Sequence, residues 1–241
     1  MFQRYILIVF IALSGNAVAQ TNTGEQVWID YNHKNFVRPN LALGGDAGFR
    51  ADISSGDWYA LYIRPRITYR LNQTFSFVGG VALFQNWNPS LLNNIEFRIE
   101  QQVTAKWPNF KNLHFENRLR FEERYFNYRE TAELNIPDKW TVRIRYQLML
   151  KSDYFSVSEK LGNLYALLAA ETFIPFQNAH EQSKTIRERF VLGFGQLLPK
   201  GSRYEVNIIL QVPLNGGSDG ANTNLWMLRL RYYLQKNSFK G

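Results

Sequence analysis

Cysteine is absent from the 241 residues, and histidine and methionine occur three times each. No disulfide can staple the fold, and no Cys/His cluster is available to hold zinc. Beyond residue 19 no stretch approaches the roughly 18–20 continuous apolar residues of a transmembrane helix, and no segment carries a convincing helical period. The net charge of +8 is not gathered into a Lys/Arg run or a nucleic-acid-binding motif, so it does not point to DNA or RNA. What the chain does have is aromatic residues, 15% of the total, and a pervasive two-residue alternation.

The opening MFQRYILIVFIALSGNAVAQ combines one positive charge at Arg4, an apolar run from Tyr5 to Leu13 and the small-x-small site Ala17-Val18-Ala19. This is the layout of a secretory signal peptide, and the apolar run is too short to span a bilayer. Cleavage after Ala19 is expected, leaving residues 20–241 as one β-barrel domain. The absence of a following cysteine argues against a lipoprotein anchor.

Residues 94–107, NIEFRIEQQVTAKW, show the alternation best. Ile95, Phe97, Ile99, Val103, Ala105 and Trp107 fall on one side with Gln101, and Glu96, Arg98, Glu100, Gln102, Thr104 and Lys106 on the other. Strand side chains point alternately to opposite faces, so this spacing makes a ribbon with an oily and an ionic face. The pattern recurs at 58–71, 75–84, 113–125, 140–151 and 226–234, and more weakly at 26–33, 41–52, 161–174, 186–198 and 202–212. The Asn72-Gln73 link makes segments 58–71 and 75–84 a hairpin pair. Tight links at 72–73, 108–112 and 199–202 contrast with longer ones at 86–94, 127–139, 175–187 and 213–223, the asymmetry of outer-membrane barrels. Eleven segments conflict with the even strand number usual in bacterial barrels. Either 26–33 is not a barrel strand or one strand is missed, so the expectation is a transmembrane antiparallel up-and-down barrel of about 10–12 strands.

Alternation alone does not say which face is inside, since a lipocalin-like barrel or β-sandwich in water would turn the oily rows inward. Three features favour lipid outside. Several segments exceed the roughly 9–11 residues needed to cross a bilayer. Aromatics sit at the ends of oily rows, at Tyr59, Tyr69, Trp107, Trp140, Trp226 and Tyr232, as interfacial girdles do. The charged rows also mix signs, so they can cross-pair inside. Pro65 counts against a regular ladder where it falls.

With VWIDYNHK near the start, Arg50 closing GGDAGFR, the arginine-rich central strands, Glu171 in AAETF, RERFVLGFGQLL and the final LRLRYYL, the sequence resembles the bacterial outer-membrane barrels catalogued as domain-of-unknown-function family 2490. The resemblance spans most of the mature chain and implies an outer-membrane β-barrel, with no catalytic residue to carry over. Such barrels often end on an aromatic residue, whereas QKNSFKG trails past Tyr233 here.

Enzymatic chemistry finds little support. His33 and His180 fall in a turn and a loop, and His114, two residues from Glu116, has no serine tied to it as triad logic requires. GFG at 193–195 lacks the context of a phosphate loop, and NGGSDG at 215–220 lacks calcium-loop spacing. No cofactor or metal is expected, and the protein is expected not to be an enzyme. The distinctive feature is an interior shared by Arg64, Arg66, Arg70, Arg98, Arg118, Arg120, Arg124, Arg143, Arg145, Arg189, Arg229 and Arg231 with Glu96, Glu100, Glu116, Glu122, Glu171 and Glu205. About half of the guanidinium groups can be cross-linked by these carboxylates. Surplus arginine would favour anions in a narrow channel, the reading placed first. A closed barrel whose loops bind partners is the alternative, and a lipid-modifying enzyme or a soluble periplasmic barrel comes last. The partners expected are outer-membrane lipid, lipopolysaccharide and small anionic solutes.

Overall fold

The alternating segments become strands in a computed structural model that describes residues 23–54, 56, 58–88, 93–129, 137–156, 162–176, 186–198, 201–214 and 224–237. The strands are β1 (Thr23–Arg38), β2 (Leu41–Asp52), β3 (Tyr59–Arg70), β4 (Phe75–Trp87), β5 (Asn94–Lys106), β6 (Leu113–Tyr128), β7 (Lys139–Ser152), β8 (Phe155–Ser156), β9 (Asn163–Phe176), β10 (Arg187–Leu197), β11 (Arg203–Pro213) and β12 (Asn224–Asn237). Among the described residues no helix is long and apolar enough to cross a membrane. Residues 1–19 and His180 lie outside the described residues.

The two-residue β8 pairs only with the start of β9, and the other eleven strands close into one ring. Successive barrel strands pair antiparallel, and β12 closes on β1 in parallel, from Thr23↔Asn224 to Phe36↔Asn237. The parallel seam is a consequence of number: in an eleven-strand meander the first and last strands run the same way. Eleven falls within the expected 10–12 strands, and only the parity argument that left ten or twelve is corrected. Segment 26–33 is the middle of a sixteen-residue β1, and His33 lies within that strand, not in a turn. An all-antiparallel closure is likewise replaced by one parallel pair.

The strand ends joined by 39–40, 71–74, 107–112, 153–162 and 198–202 lie at one rim, and those joined by 53–58, 88–93, 129–138, 177–186 and 214–223 at the other. The first, mostly tighter set defines the short-turn rim. In the hairpin there, Asn72 Oδ1 accepts from the backbone N–H groups of Thr74 (2.9 Å) and Phe75 (2.6 Å), a local bond that fixes the turn. Pro65 interrupts the β3–β4 ladder between Ile63↔Leu83 and Arg66↔Gly80, and pairing resumes in unchanged register. Around the ring the registers accumulate a stagger of about 14 residues, which for eleven strands gives a tilt of roughly 40° and a backbone radius of roughly 11 Å.

The oily rows face outward. Ile63 is 59% exposed and Leu119 51%, and Leu61, Leu83, Phe97, Leu148, Phe194, Ile208 and Leu228 are exposed with them. Aromatics gather toward both rims: Tyr59 stacks on Trp87 and Tyr125 packs on Trp140 at the long-loop rim, and Tyr232 contacts Tyr31 and Tyr204 toward the other. The interior holds the polar rows with two small apolar clusters, Trp28–Ile209–Met227 and Tyr62–Ala82–Phe84.

Candidate functional site

Because β-strand side chains alternate, the outward oily rows force the charged rows into the barrel. The interior is organised around seven carboxylates, each shared. Glu122 accepts from Arg145 (2.9 Å) and Arg143, with Arg98 and Arg120 within 3.6 Å. Glu100 holds Arg64 (2.8 Å) and Arg66 (2.9 Å) and lies near Arg98 and Arg120. Glu171 joins Arg118, Arg145 and Arg189, and Glu96 joins Arg98 and Arg124. Asp46 binds Arg64 and Arg66, Asp30 binds Arg229 and Arg231, and Glu205 binds Arg231.

Of the arginines expected inside, only Arg70 has no ion pair among the described residues. It sits exposed at the short-turn rim with its guanidinium 5.4 Å from the Phe36 ring. Glu116, half-buried toward the same rim, also has no ion pair among the described residues. The expectation that about half of the guanidiniums would be cross-linked falls short for two reasons: each carboxylate except Glu205 serves two to four arginines, and Asp30 and Asp46 join the network.

Between β5 and β6 the mixed-sign rows do not pair straight across. Register sets Arg98 opposite Arg124 and Glu100 opposite Glu122, arrangements that repel when left alone. The bonds run diagonally instead, Arg124 to Glu96, Arg98 to Glu122 and Arg120 to Glu100.

Other bonds pass over a whole strand, and in three places a glycine makes the passage. Gly48 stands between Asp30 and Tyr62, whose hydroxyl donates to the Asp30 carboxylate at 2.6 Å. Gly80 stands between Arg66 and Glu100, joined at 2.9 Å. Gly195 stands between Tyr165 and Glu205, where the phenol donates at 2.9 Å. A side chain at any of these glycines would occupy the path: a Cβ on Gly80 would lie 2.8 Å from Arg66 Cγ, and one on Gly195 would fall within the Tyr165 ring. The GFG segment is thus strand, with its second glycine cleared for a tyrosine.

Arg50 is held differently. It forms no ion pair among the described residues, and its guanidinium carbon lies 4.1 Å from the Trp28 ring, 4.8 Å from Tyr62 and 5.4 Å from Phe84. An aromatic cage of this kind compensates a cation through the ring quadrupoles.

At the short-turn rim His114 bonds Asn109 (2.7 Å) and Asp153 (2.5 Å), not Glu116. At the opposite rim Asp138 accepts from Tyr125, from Asn127 at 3.0 Å and from the Tyr128 amide at 3.3 Å. The Tyr125 bond, with help from Asn127, holds that carboxyl below the usual range. No three His, Asp or Glu side chains among the described residues gather to hold a metal ion.

Asp30, Asp46, Trp28, Tyr62 and Tyr165 carry much of this interior and were not singled out as site residues in the sequence. Their signal was present as alternation, Trp28–Asp30–Asn32 against Val27–Ile29–Tyr31, but the rows of β1, β2 and β9 hold few charges, and an uncharged tyrosine such as Tyr62 does not stand out beside Arg64 and Arg66.

A closed eleven-strand barrel, apolar outside and filled by an arginine–carboxylate network, is the class that these features define. Over residues 25–224 the sequence matches the family described as Protein of unknown function (DUF2490), and the chain belongs to that family. No curated protein matches the sequence.

Proposed function

We propose that the protein is a bacterial outer-membrane barrel with a closed waist, acting as a membrane-embedded scaffold that meets its partners at the two mouths. The observation that carries this reading is the burial of the waist: Glu122 is 0% exposed, Glu100 2% and Arg120 4%. A conducting anion path needs water beside its guanidinium groups, and here those groups are taken up by carboxylates. Burying so many charges is tolerable only with near-complete pairing, which the shared carboxylates provide.

The membrane part of the reading is supported by the outward apolar rows, by barrel strands of 11–16 residues, and by aromatic contacts toward both rims, since a lipid-facing barrel wall needs these features together. Lipid and lipopolysaccharide are the partners of that wall. By the usual asymmetry the short-turn rim faces the periplasm.

Planar-bilayer recording on the refolded protein tests the waist, with heat-modifiable gel mobility as the check on folding. Verified insertion with a silent bilayer is the expected result. Steady anion-selective steps that lose their preference in Arg64→Gln, Arg66→Gln, Arg143→Gln and Arg145→Gln variants would establish a channel instead. Recovery of the native protein in a soluble periplasmic extract would overturn the membrane assignment.

A further inference from the structure

A fourth glycine repeats the strand-crossing arrangement with a different outcome. Gly44 stands between Lys34 on β1 and Arg66 on β3. At Gly48, Gly80 and Gly195 the flanking side chains bond across the gap. Lys34 and Arg66 are both cations and cannot, and the space beside them is a cavity of about 200 Å3 lined also by Asn32, Gln102, Arg203 and Tyr233.

The polar atoms around this cavity are short of acceptors. Asn32 Nδ2, Arg66 Nε and Arg203 Nε are buried and have no hydrogen-bond partner among the described residues. All three are donors. Lys34 and Arg203 have no ion pair among the described residues, and the Arg203 guanidinium carbon lies 4.0 Å from the centre of the Tyr233 ring. Asp46 is the one acidic side chain in the lining, and Arg64 (2.6 Å) and Arg66 (3.3 Å) already hold it.

We infer that this cavity is a binding site for a small oxyanion of the phosphate class, entered from the short-turn mouth. Water can accept hydrogen bonds from the orphaned donors but supplies no charge to Lys34 and Arg203. A tetrahedral oxyanion presents several acceptor oxygens and negative charge together, the combination that guanidinium and ammonium groups recognise. A cavity of this volume has room for one phosphate with residual water. The site is independent of membrane insertion and of a silent bilayer, because it lies toward the short-turn mouth, on one side of the waist.

Isothermal titration of the folded, detergent-solubilised full chain with inorganic phosphate is the test, with folding of every variant verified by heat-modifiable mobility. One-site saturable binding is expected, weakened at least about tenfold by Arg203→Gln and by Lys34→Gln. Arg187→Gln, which removes the same charge at the opposite rim, should leave it unchanged. Absence of saturable binding to the wild-type barrel would overturn the site, as would binding that survives in whichever of the two cavity variants folds, or equal weakening by Arg187→Gln. A second arm uses a short-chain phosphatidic acid below its micellar concentration. Binding of that lipid without binding of inorganic phosphate would place the phosphate on a headgroup and overturn the free-anion assignment.

Discussion

Gly195 shows how little slack the interior holds. Tyr165 lies over it to reach Glu205, and Glu205 in turn accepts from Asn207 at 2.9 Å and from Arg231 at 3.1 Å. Replacing Gly195 by valine forces the phenol aside, at an overpacking cost of about 1–3 kcal/mol and with a buried hydrogen bond broken. Gly79 supplies the control, since it lies in the outward row of β4 and a Cβ there meets nothing within 4 Å. Urea unfolding in detergent, followed by tryptophan fluorescence, should show a lower midpoint for Gly195→Val and an unshifted one for Gly79→Val. Equal midpoints would mean that the tyrosine has room to move. At this scale the sequence revealed the arginines and not their partners. Alternation says which face Arg66 occupies, but which glycine stands between Arg66 and Glu100 depends on the register of two ladders, and register is a property of the assembled sheet.

The strands themselves were legible where both faces are chemically distinct. β5, β6 and β7 oppose isoleucine, leucine and phenylalanine to arginine and glutamate, so the period is unmistakable. β2, LALGGDAGFRAD, has glycine and alanine on both faces and hid Asp46 in a weak pattern. The orientation of the faces follows from charge: seven carboxylates and eleven arginines can share an interior of radius roughly 11 Å only if they pair with one another. On the proposed membrane reading the outward rows face lipid, a solvent that accepts leucine and rejects arginine. Leu148, exposed in the outward row of β7, tests this. Leu148→Arg should reduce folding into phospholipid vesicles by about 2–4 kcal/mol, the cost of a cation near the bilayer midplane, read as a fall in the heat-modifiable fraction. A substitution without effect would place that row in water.

At the scale of the whole molecule, closure depends on one seam unlike the others. Every neighbouring pair of barrel strands except β12–β1 is joined through a loop, so those ladders are favoured by short separation along the chain. The β1–β12 pair brings the two ends of the ring together with fourteen residue pairs in parallel, and it leaves the start of β1 and the end of β12 at opposite rims. The sequence did not show this seam, because an odd strand number looks like a counting error until the closing pair is known to be parallel. A chain without cysteine lets the seam be tested cleanly. Ile29 and Leu230 are register partners on the outward face, at the ~4.8 Å spacing of adjacent strands, inside the Cα range that a disulfide spans. The Ile29→Cys/Leu230→Cys variant should oxidise to a species with altered mobility on a boiled, non-reducing gel, and reductant should reverse it. Moving the second cysteine to Leu234 displaces it by four residues, roughly 13 Å along the strand, and should abolish the cross-link. Bond formation at 234 in preference to 230 would show that the ring closes in another register, and with it the cavity formed where β12, β1, β2 and β3 meet would have to be redrawn.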